Sequence, residues 1–302
     1  MFKHILVPLD GSKLAESSLP AASYLADKTH AIVTLIHVIE KNAPEAVHGE
    51  RHLRNSQDAD EYLRNIAENN FSKNILVEFH VHTTEVSSVP KSIVDHADEL
   101  AQDLIVMCTH GRGGLHDFLV GSIAQQVITM GKTPVLLIRP QNNSNNQPFE
   151  CKRILTPLDN LPDHEQSLPF ARKLAELCQA DIHMLDVVPT LGTLKGQKAA
   201  AGKLLPGTMT AMLELYEDEA QQYLSAHSEN IAHDGITVTT EVLRGDPADK
   251  IVETSLKIHA DLIILVTHGR IGQNAFWAGS VAPKVSGTSQ VPILLVPFQN
   301  PG

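Results

Sequence analysis

The strongest constraint on the fold is an internal repeat. "KHILVPLD" at residues 3–10 returns as "KRILTPLD" at 152–159, and "AQDLIVMCTHGR" at 101–112 returns as "HADLIILVTHGR" at 259–270. "VTLIHVIEK" at 33–41 has a counterpart in "DIHMLDVVP" at 181–189. "GSIAQQV" at 121–127 answers to "GSVAPKV" at 279–285, and "TPVLLIRP" at 133–140 to "VPILLVP" at 291–297. Such self-similarity in a chain of 302 residues means two copies of one plan, each of ordinary domain size. Asp10 and Asp159 lie 149 positions apart, whereas Gly111 and Gly269 lie 158 apart, so about nine residues enter the second copy between its second and fourth strands. The Gly/Lys/Ala-rich stretch "PTLGTLKGQKAAAGKLLPG", 189–207, reads as the loop that holds them. A polar, Asn-rich segment bounded by proline separates the copies. The division is therefore a first domain at 1–140, a linker at 141–150 and a second domain at 151–302.

Within each copy, short β-branched runs alternate with helical patterns. "HILVPLD", "AIVTLIHVI", "ILVEFHVHT", "DLIVMCT" and "PVLLIRP" are the strands of the first copy. Several are apolar at both parities, which suits parallel strands covered on both faces. The segments between them, such as "AESSLPAASYLADK" and "VPKSIVDHADELA", carry helical spacing. Alternation of this kind implies right-handed crossovers. The predicted fold class is α/β: two repeated doubly wound domains, each with a five-stranded parallel, Rossmann-like sheet. The apolar fraction is 42 % and the aromatic fraction only 4 %, so the cores are expected to be aliphatic.

A formal charge of −11 argues against nucleic acid as a partner, because phosphate binding on that scale needs clustered Lys and Arg. Cys108, Cys151 and Cys178 are odd in number and widely spaced, with no C-x-x-C, so a reduced cytoplasmic setting is expected. The apolar run near the N-terminus is too short for a signal-peptide core or a membrane span, and no membrane partner is expected. His80 and His82 share a strand face and His37 could lie near. No Cys/His cluster has a zinc spacing, however, so no metal site is assigned.

The chemistry concentrates in "CTHGRGGLHDFLVGS", 108–122, and its repeat "VTHGRIGQNAFWAGS", 266–280. In doubly wound sheets, ligands sit beyond the carboxyl ends of strands, where strand order reverses. Here a strand end feeds a glycine-rich span and then a helix that starts near Ser122. Its free N–H groups and dipole favour an anion. Glycines at 111 and 121 let the backbone approach a phosphate without a Cβ. The span is not a Walker loop, since no Gly-Lys-Ser/Thr follows. Nor is it the dinucleotide G-x-G-x-x-G, because its glycines follow the fourth strand. A plain tight turn would also explain them.

Taken together, "ILVPLDGS", "HV", "DLIVMCTHGRGG", the Gly-Ser pair that follows Gly111 after nine intervening residues, and "PVLLI" resemble the universal stress protein family, here as a tandem member. The resemblance covers nearly the whole chain and implies the adenine nucleotide alpha-hydrolase-like fold. It also implies a stress-response protein that binds ATP, with room for Mg²⁺, as a regulatory or signalling module. The family's nucleotide-binding branch carries G-x2-G-x9-G-(S/T). That pattern falls on Cys108, Gly111, Gly121 and Ser122, and again on Val266, Gly269, Gly279 and Ser280; the first glycine is replaced in both copies. By the same likeness Pro8 and Asp10 lie beside base and sugar, Val38 reads the adenine edge, and Met107 packs nearby. Arg112, Gly114 and Ile123 complete that site. The second, weaker site would comprise Pro157, Asp159, Val187, Val266, Arg270 and Val281 with its glycines and serine. It is weaker because Val266 is β-branched and because "PLDNLPD" lacks the Gly-Ser of "PLDGS".

Several residues keep two readings. Arg112 and Arg270 could neutralise phosphate or form surface ion pairs. His110 and His268 could touch phosphate or brace a turn. Asp10 could hold Mg²⁺ through a water, contact the sugar, or cap the helix beginning near Ser12. Cys108 reads as a small apolar residue at a strand end. No Ser-His-Asp or Cys-His pattern marks a nucleophile, so catalysis, as weak ATP hydrolysis or ligand modification, is the alternative to binding, and a scaffold with degenerate sites is a further one. The last strand of each copy is a candidate sheet edge. In the family such strands pair between domains, which implies an intrachain pseudo-dimer and leaves a homodimer open.

Overall fold

The computed structural model describes residues 1–43, 45–47, 50–109, 120–140, 148–194, 196–267 and 281–299. The chain divides into two compact units. Unit 1 is Met1–Glu150 with Thr267–Gly279 and Pro292–Gly302; unit 2 is Cys151–Val266 with Ser280–Val291.

In unit 1 the five strands of the first copy are β1 (His4–Pro8), β2 (Ile32–Glu40), β3 (Val77–Val86), β4 (Leu104–Cys108) and β5 (Val135–Ile138). They are all parallel, in the order β5–β4–β1–β2–β3. The order reverses at β1, where Ile5 pairs with Val33 of β2 on one side and with Leu104 of β4 on the other. The continuous apolar runs are explained by burial on both faces. Ile5, Leu6, Val7, Leu35, Leu104, Ile105 and Val106 are all fully buried, and the core is aliphatic as expected. Helices α1 (Lys13–Glu16), α2 (Leu19–Thr29), α3 (Ser56–Asn70), α4 (Val89–Glu99) and α5 (Ser122–Met130) connect them. A short antiparallel ladder, Ala46–Val47 against Glu50–Arg51, precedes α3.

Unit 2 repeats the plan with β6 (Arg153–Leu158), β7 (Asp181–Val188), β8 (Val238–Arg244) and β9 (Leu262–Thr267), parallel and ordered β8–β7–β6–β9. Its helices are α6 (Leu168–Cys178), α7 (Gly196–Leu204), α8 (Pro206–Ala232), α9 (Pro247–Lys257) and α10 (Val281–Thr288), with a 3₁₀ turn over Pro162–Ser167. The repeat extends to polar detail. The Asp103 carboxylate accepts the N–H groups of Lys3 and His4 at 2.8 and 3.2 Å. Asp261 does the same for Lys152 and Arg153 at 2.8 and 2.9 Å. His30 and Gln179 end α2 and α6 in the same left-handed conformation, at φ 54° each.

One feature departs from the plan read in the sequence. The inserted stretch after β7 is not a loop throughout, since α7 occupies 196–204. Gln, Lys and three consecutive Ala favour a helix there, and only Gly196 at the start, φ +58°, needs a glycine. Leu194, Met209 and Leu213 then pack with Val188 under the insertion. The fifth strand of the second copy, β10 (Ile293–Pro297), is present as expected and groups with unit 1. It runs antiparallel to β5, with Leu294 opposite Leu136, and makes a sixth strand of that unit.

Candidate functional site

The reversal of strand order at β1 opens a crevice beyond the carboxyl ends of β1 and β4, the place where doubly wound sheets bind ligands. Four predicted residues come from these two strand ends. Pro8 closes β1 opposite Ile36, and Asp10 follows it; Met107 and Cys108 close β4 opposite Leu137 and Ile138. Val38, buried near the end of β2, stands on the next strand over. The structure therefore brings Pro8, Asp10, Val38, Met107 and Cys108 to one end of the sheet.

Local chemistry fixes this edge. Asp10 Oδ1 accepts the backbone N–H of Ser12 at 2.9 Å and its hydroxyl at 2.7 Å. Ser12 in turn caps α1 by accepting Ala15 N–H at 3.2 Å. Gly11 between them has φ 90°, a conformation that a side chain would strain. Asp10 thus supports the helix start through Ser12. The buried His37 ring locks the same loop: its Nδ1 lies 2.8 Å from Leu9 O and its Nε2 3.0 Å from Leu53 O. Cys108 is a thiol pushed up to about 12, chiefly by burial and then by the Asp10 carboxylate. It is therefore protonated at physiological pH and unsuited to nucleophilic attack.

On the far side of the crevice α5 starts at Ser122 with Gly121 as its N-cap, and no side chain caps its first turn. Gly121 is buried, Ser122 is exposed and Ile123 is intermediate. The bare N–H groups there are available to an anion. Gly111, Arg112 and Gly114 lie outside the described residues, as does His110.

Sequence reading missed a tyrosine–glutamate pair beside this edge. Tyr62 of α3 donates to Glu16 Oε1 of α1 at 3.3 Å, and burial and Glu16 push the phenol well up. Glu50 accepts the Lys13 N–H at 2.6 Å, so Asp10, Glu16 and Glu50 give the margin an acidic character. The pair is itself repeated: Tyr223 donates to Glu165 at 3.1 Å. The signal was a tyrosine recurring in the helix that precedes the third strand of each copy.

In the second copy Pro157 and Val187 take the places of Pro8 and Val38, and Val266 that of Cys108. Asp159, however, is engaged by His164, whose Nδ1 lies 2.6 Å from its carboxylate and whose basicity that contact raises. His37 is replaced by Asp186. Burial and then the neighbouring Asp159 push its carboxyl up to about 6, against a Val187 N–H that favours the charged form. Val281 opens α10, and Gly269, Arg270, Gly279, Ser280 and His268 lie outside the described residues.

Comparison with known proteins decides the family. The model described as the universal stress protein family matches residues 1–139 and again residues 150–297. This chain belongs to the universal stress protein family. It is therefore a tandem member of a stress-response family, and both copies carry the adenine nucleotide alpha-hydrolase-like fold. A universal stress protein of Methanocaldococcus jannaschii is 31 % identical over 150 residues, 48 % of this chain and 81 % of its own. One from Mycolicibacterium smegmatis matches the tandem as a whole, 24 % identical over 97 % of this chain and 96 % of its own. The crystal structure of a universal stress protein from Archaeoglobus fulgidus superposes at TM-score 0.70 with 19 % identity, over 99 % of this chain and 97 % of that one. No described helix is long and apolar enough to cross a membrane.

Proposed function

We propose that this universal stress protein binds ATP at the crevice of the first copy and acts as a cytoplasmic regulatory module through that binding. The observation that carries the reading is the convergence of the β1 and β4 ends, at the strand-order reversal, on a helix whose first turn has only glycine as its cap. The base would lie over Val38 and Met107, the sugar beside Asp10, and the triphosphate along Gly121, Ser122 and Ile123. Gly111, Arg112 and Gly114 belong to the same proposed set of phosphate contacts. The acidic margin formed by Asp10, Glu16 and Glu50 favours a nucleotide that arrives with Mg²⁺. Binding rather than turnover is the reading, because the Asp10 carboxylate that could act as a base is engaged by the Ser12 N–H and hydroxyl, and the Cys108 thiol is held protonated.

The second copy reads as a scaffold. Its Asp159 is paired with His164, and a buried carboxyl, Asp186, replaces the ring that braces the first site. The antiparallel register of β5 and β10 supports pairing of the two copies' last strands within one chain; self-association beyond that is open to sedimentation measurements.

Calorimetry with Mg-ATP tests the proposal. One ATP should bind per chain with a micromolar dissociation constant. Gly121→Val should abolish the heat, since its isopropyl group would fill the turn reserved for phosphate, whereas Gly279→Val should leave it unchanged. Mass spectrometry of ligand released from freshly purified protein should identify an adenine nucleotide. A flat titration of the unaltered chain would overturn the reading.

A further inference from the structure

A second constellation lies on the outer strand of the first copy's parallel sheet. His80 and His82 alternate on β3, so both point to the face covered by α4, and His96 in the last turn of α4 meets them. The rings are in contact: the centroid of His96 is 4.5 Å from that of His80 and 4.9 Å from that of His82. One nitrogen from each ring lies within 4.8 Å of the others, and among the described residues no other group of three or more His, Cys, Asp or Glu converges in this way. Sequence spacing points to His37 as the neighbour. The structure supplies His96 instead, with His37 held between Leu9 and Leu53.

The hydrogen bonds set the rings up as ligands. His96 is buried, and its Nδ1 lies 2.6 Å from Ser92 O. A carbonyl only accepts, so Nδ1 carries the proton and Nε2 presents its lone pair inward. Fixing a histidine by a backbone carbonyl in this way is the usual outer support of a metal-ligating imidazole. The His96 lone pair faces His82 Nδ1 at 3.3 Å. Two imidazole nitrogens on one tetrahedral zinc, each about 2.0–2.1 Å from it, stand about 3.4 Å apart. His80 Nε2 is buried without a hydrogen-bond partner, so one polar atom in the cluster lacks the bond that burial calls for. The 4.8 Å limit leaves the third nitrogen little more than 1 Å to close. His80 and His82 stay partly exposed, which provides an entry path. The end of α4 adds a favourable dipole for a cation.

We propose that His80, His82 and His96 form a three-histidine site for Zn²⁺ or a similar imidazole-preferring divalent transition ion. In the metal-free protein the Nδ1–H of His82 points at His96 Nε2; when the cation takes Nδ1, that proton moves to Nε2 of the same ring, so the ligands stay neutral imidazoles and a fourth position is open to water. The site is separate from the nucleotide proposal and stands or falls without it.

The full-length chain, stripped with chelator, is titrated with Zn²⁺ alone by calorimetry, and with Co²⁺ by visible absorption. The expected result is one tightly held ion per chain, at micromolar affinity or better, with the intense Co²⁺ bands of a tetrahedral site. His82→Asn and His80→Asn, both at partly exposed positions, should each weaken Zn²⁺ at least tenfold, while His233→Asn at an exposed position in unit 2 should not. Circular dichroism of each variant confirms its fold. Zn²⁺ affinity that His80→Asn and His82→Asn leave unchanged, or stoichiometric binding that His233→Asn removes, would overturn the proposal. So would no Zn²⁺ retained by the unaltered chain.

Discussion

Replacing Asp186 by Asn should make the protein more stable at neutral pH and should do nothing in mild acid. Asp186 is 5 % exposed near the end of β7, and burial with Asp159 nearby raises its carboxyl from 3.8 to about 6. Between those values the unfolded chain has released a proton that the folded chain still holds. Stability therefore falls as pH climbs through that window, and the penalty is complete above it. A displacement of about two pH units, at about 1.4 kcal/mol each, makes the ionised carboxylate cost about 3 kcal/mol at pH 7. Asparagine keeps an oxygen for the Val187 N–H and removes the charge. Desolvating its amide gives back about 1 kcal/mol. The net gain is about 2 kcal/mol at pH 7, shrinking to about zero near pH 4.5. Urea denaturation of both proteins at the two pH values, followed by circular dichroism, measures it. A gain of equal size at both pH values would refute the electrostatic reasoning, because packing alone would then account for it. A loss at pH 7 would show that the carboxylate has a favourable partner.

Two further outcomes follow from the same two sites. His164 has its protonated form favoured by Asp159, so its contribution is fully present below about 6.5 and fades as pH rises through its higher folded value. His164→Ala should cost up to about 1 kcal/mol at pH 5.5 and nothing measurable in alkali, since the pair is partly exposed. Cys108, pushed up to about 12, should react with a thiol reagent at pH 8 far more slowly than an ordinary exposed cysteine, and Asp10→Asn should quicken it by removing the second cause of the shift.

Much of the fold was legible because the chain states it twice. The double-sided apolar runs such as "ILVPL" can only be central strands, and the five-strand count of the first copy follows from them. The Asp10–Ser12 spacing was readable as a helix start because an Asx side chain reaches two residues forward. Other contacts were not legible, because they arise from packing between elements distant in sequence. His96 is one helix away from His80 and His82, and nothing in the residue spacing shows that α4 lies on that face of β3. Cys151 and Cys178 look unrelated in sequence, yet the buried Cys151 thiol is hydrogen-bonded to Cys178 and pushed well up by it. Gly196 and Gly202 suggested a loop, but "GQKAAAGKL" is long enough for its Ala and Lys to prevail.

The placement of β10 limits how this protein can be divided. A cut at the polar linker would look natural from the two-copy pattern. It would strip β5 of the strand that covers its outer rim, leaving Val135–Ile138 with unsatisfied main-chain groups along one side. The N-terminal half made alone would have to borrow a replacement strand from another molecule, or clump. The tandem is thus a single heritable piece: the tail of the second half is the seal on the first, and losing the last dozen residues would damage the half that was made first.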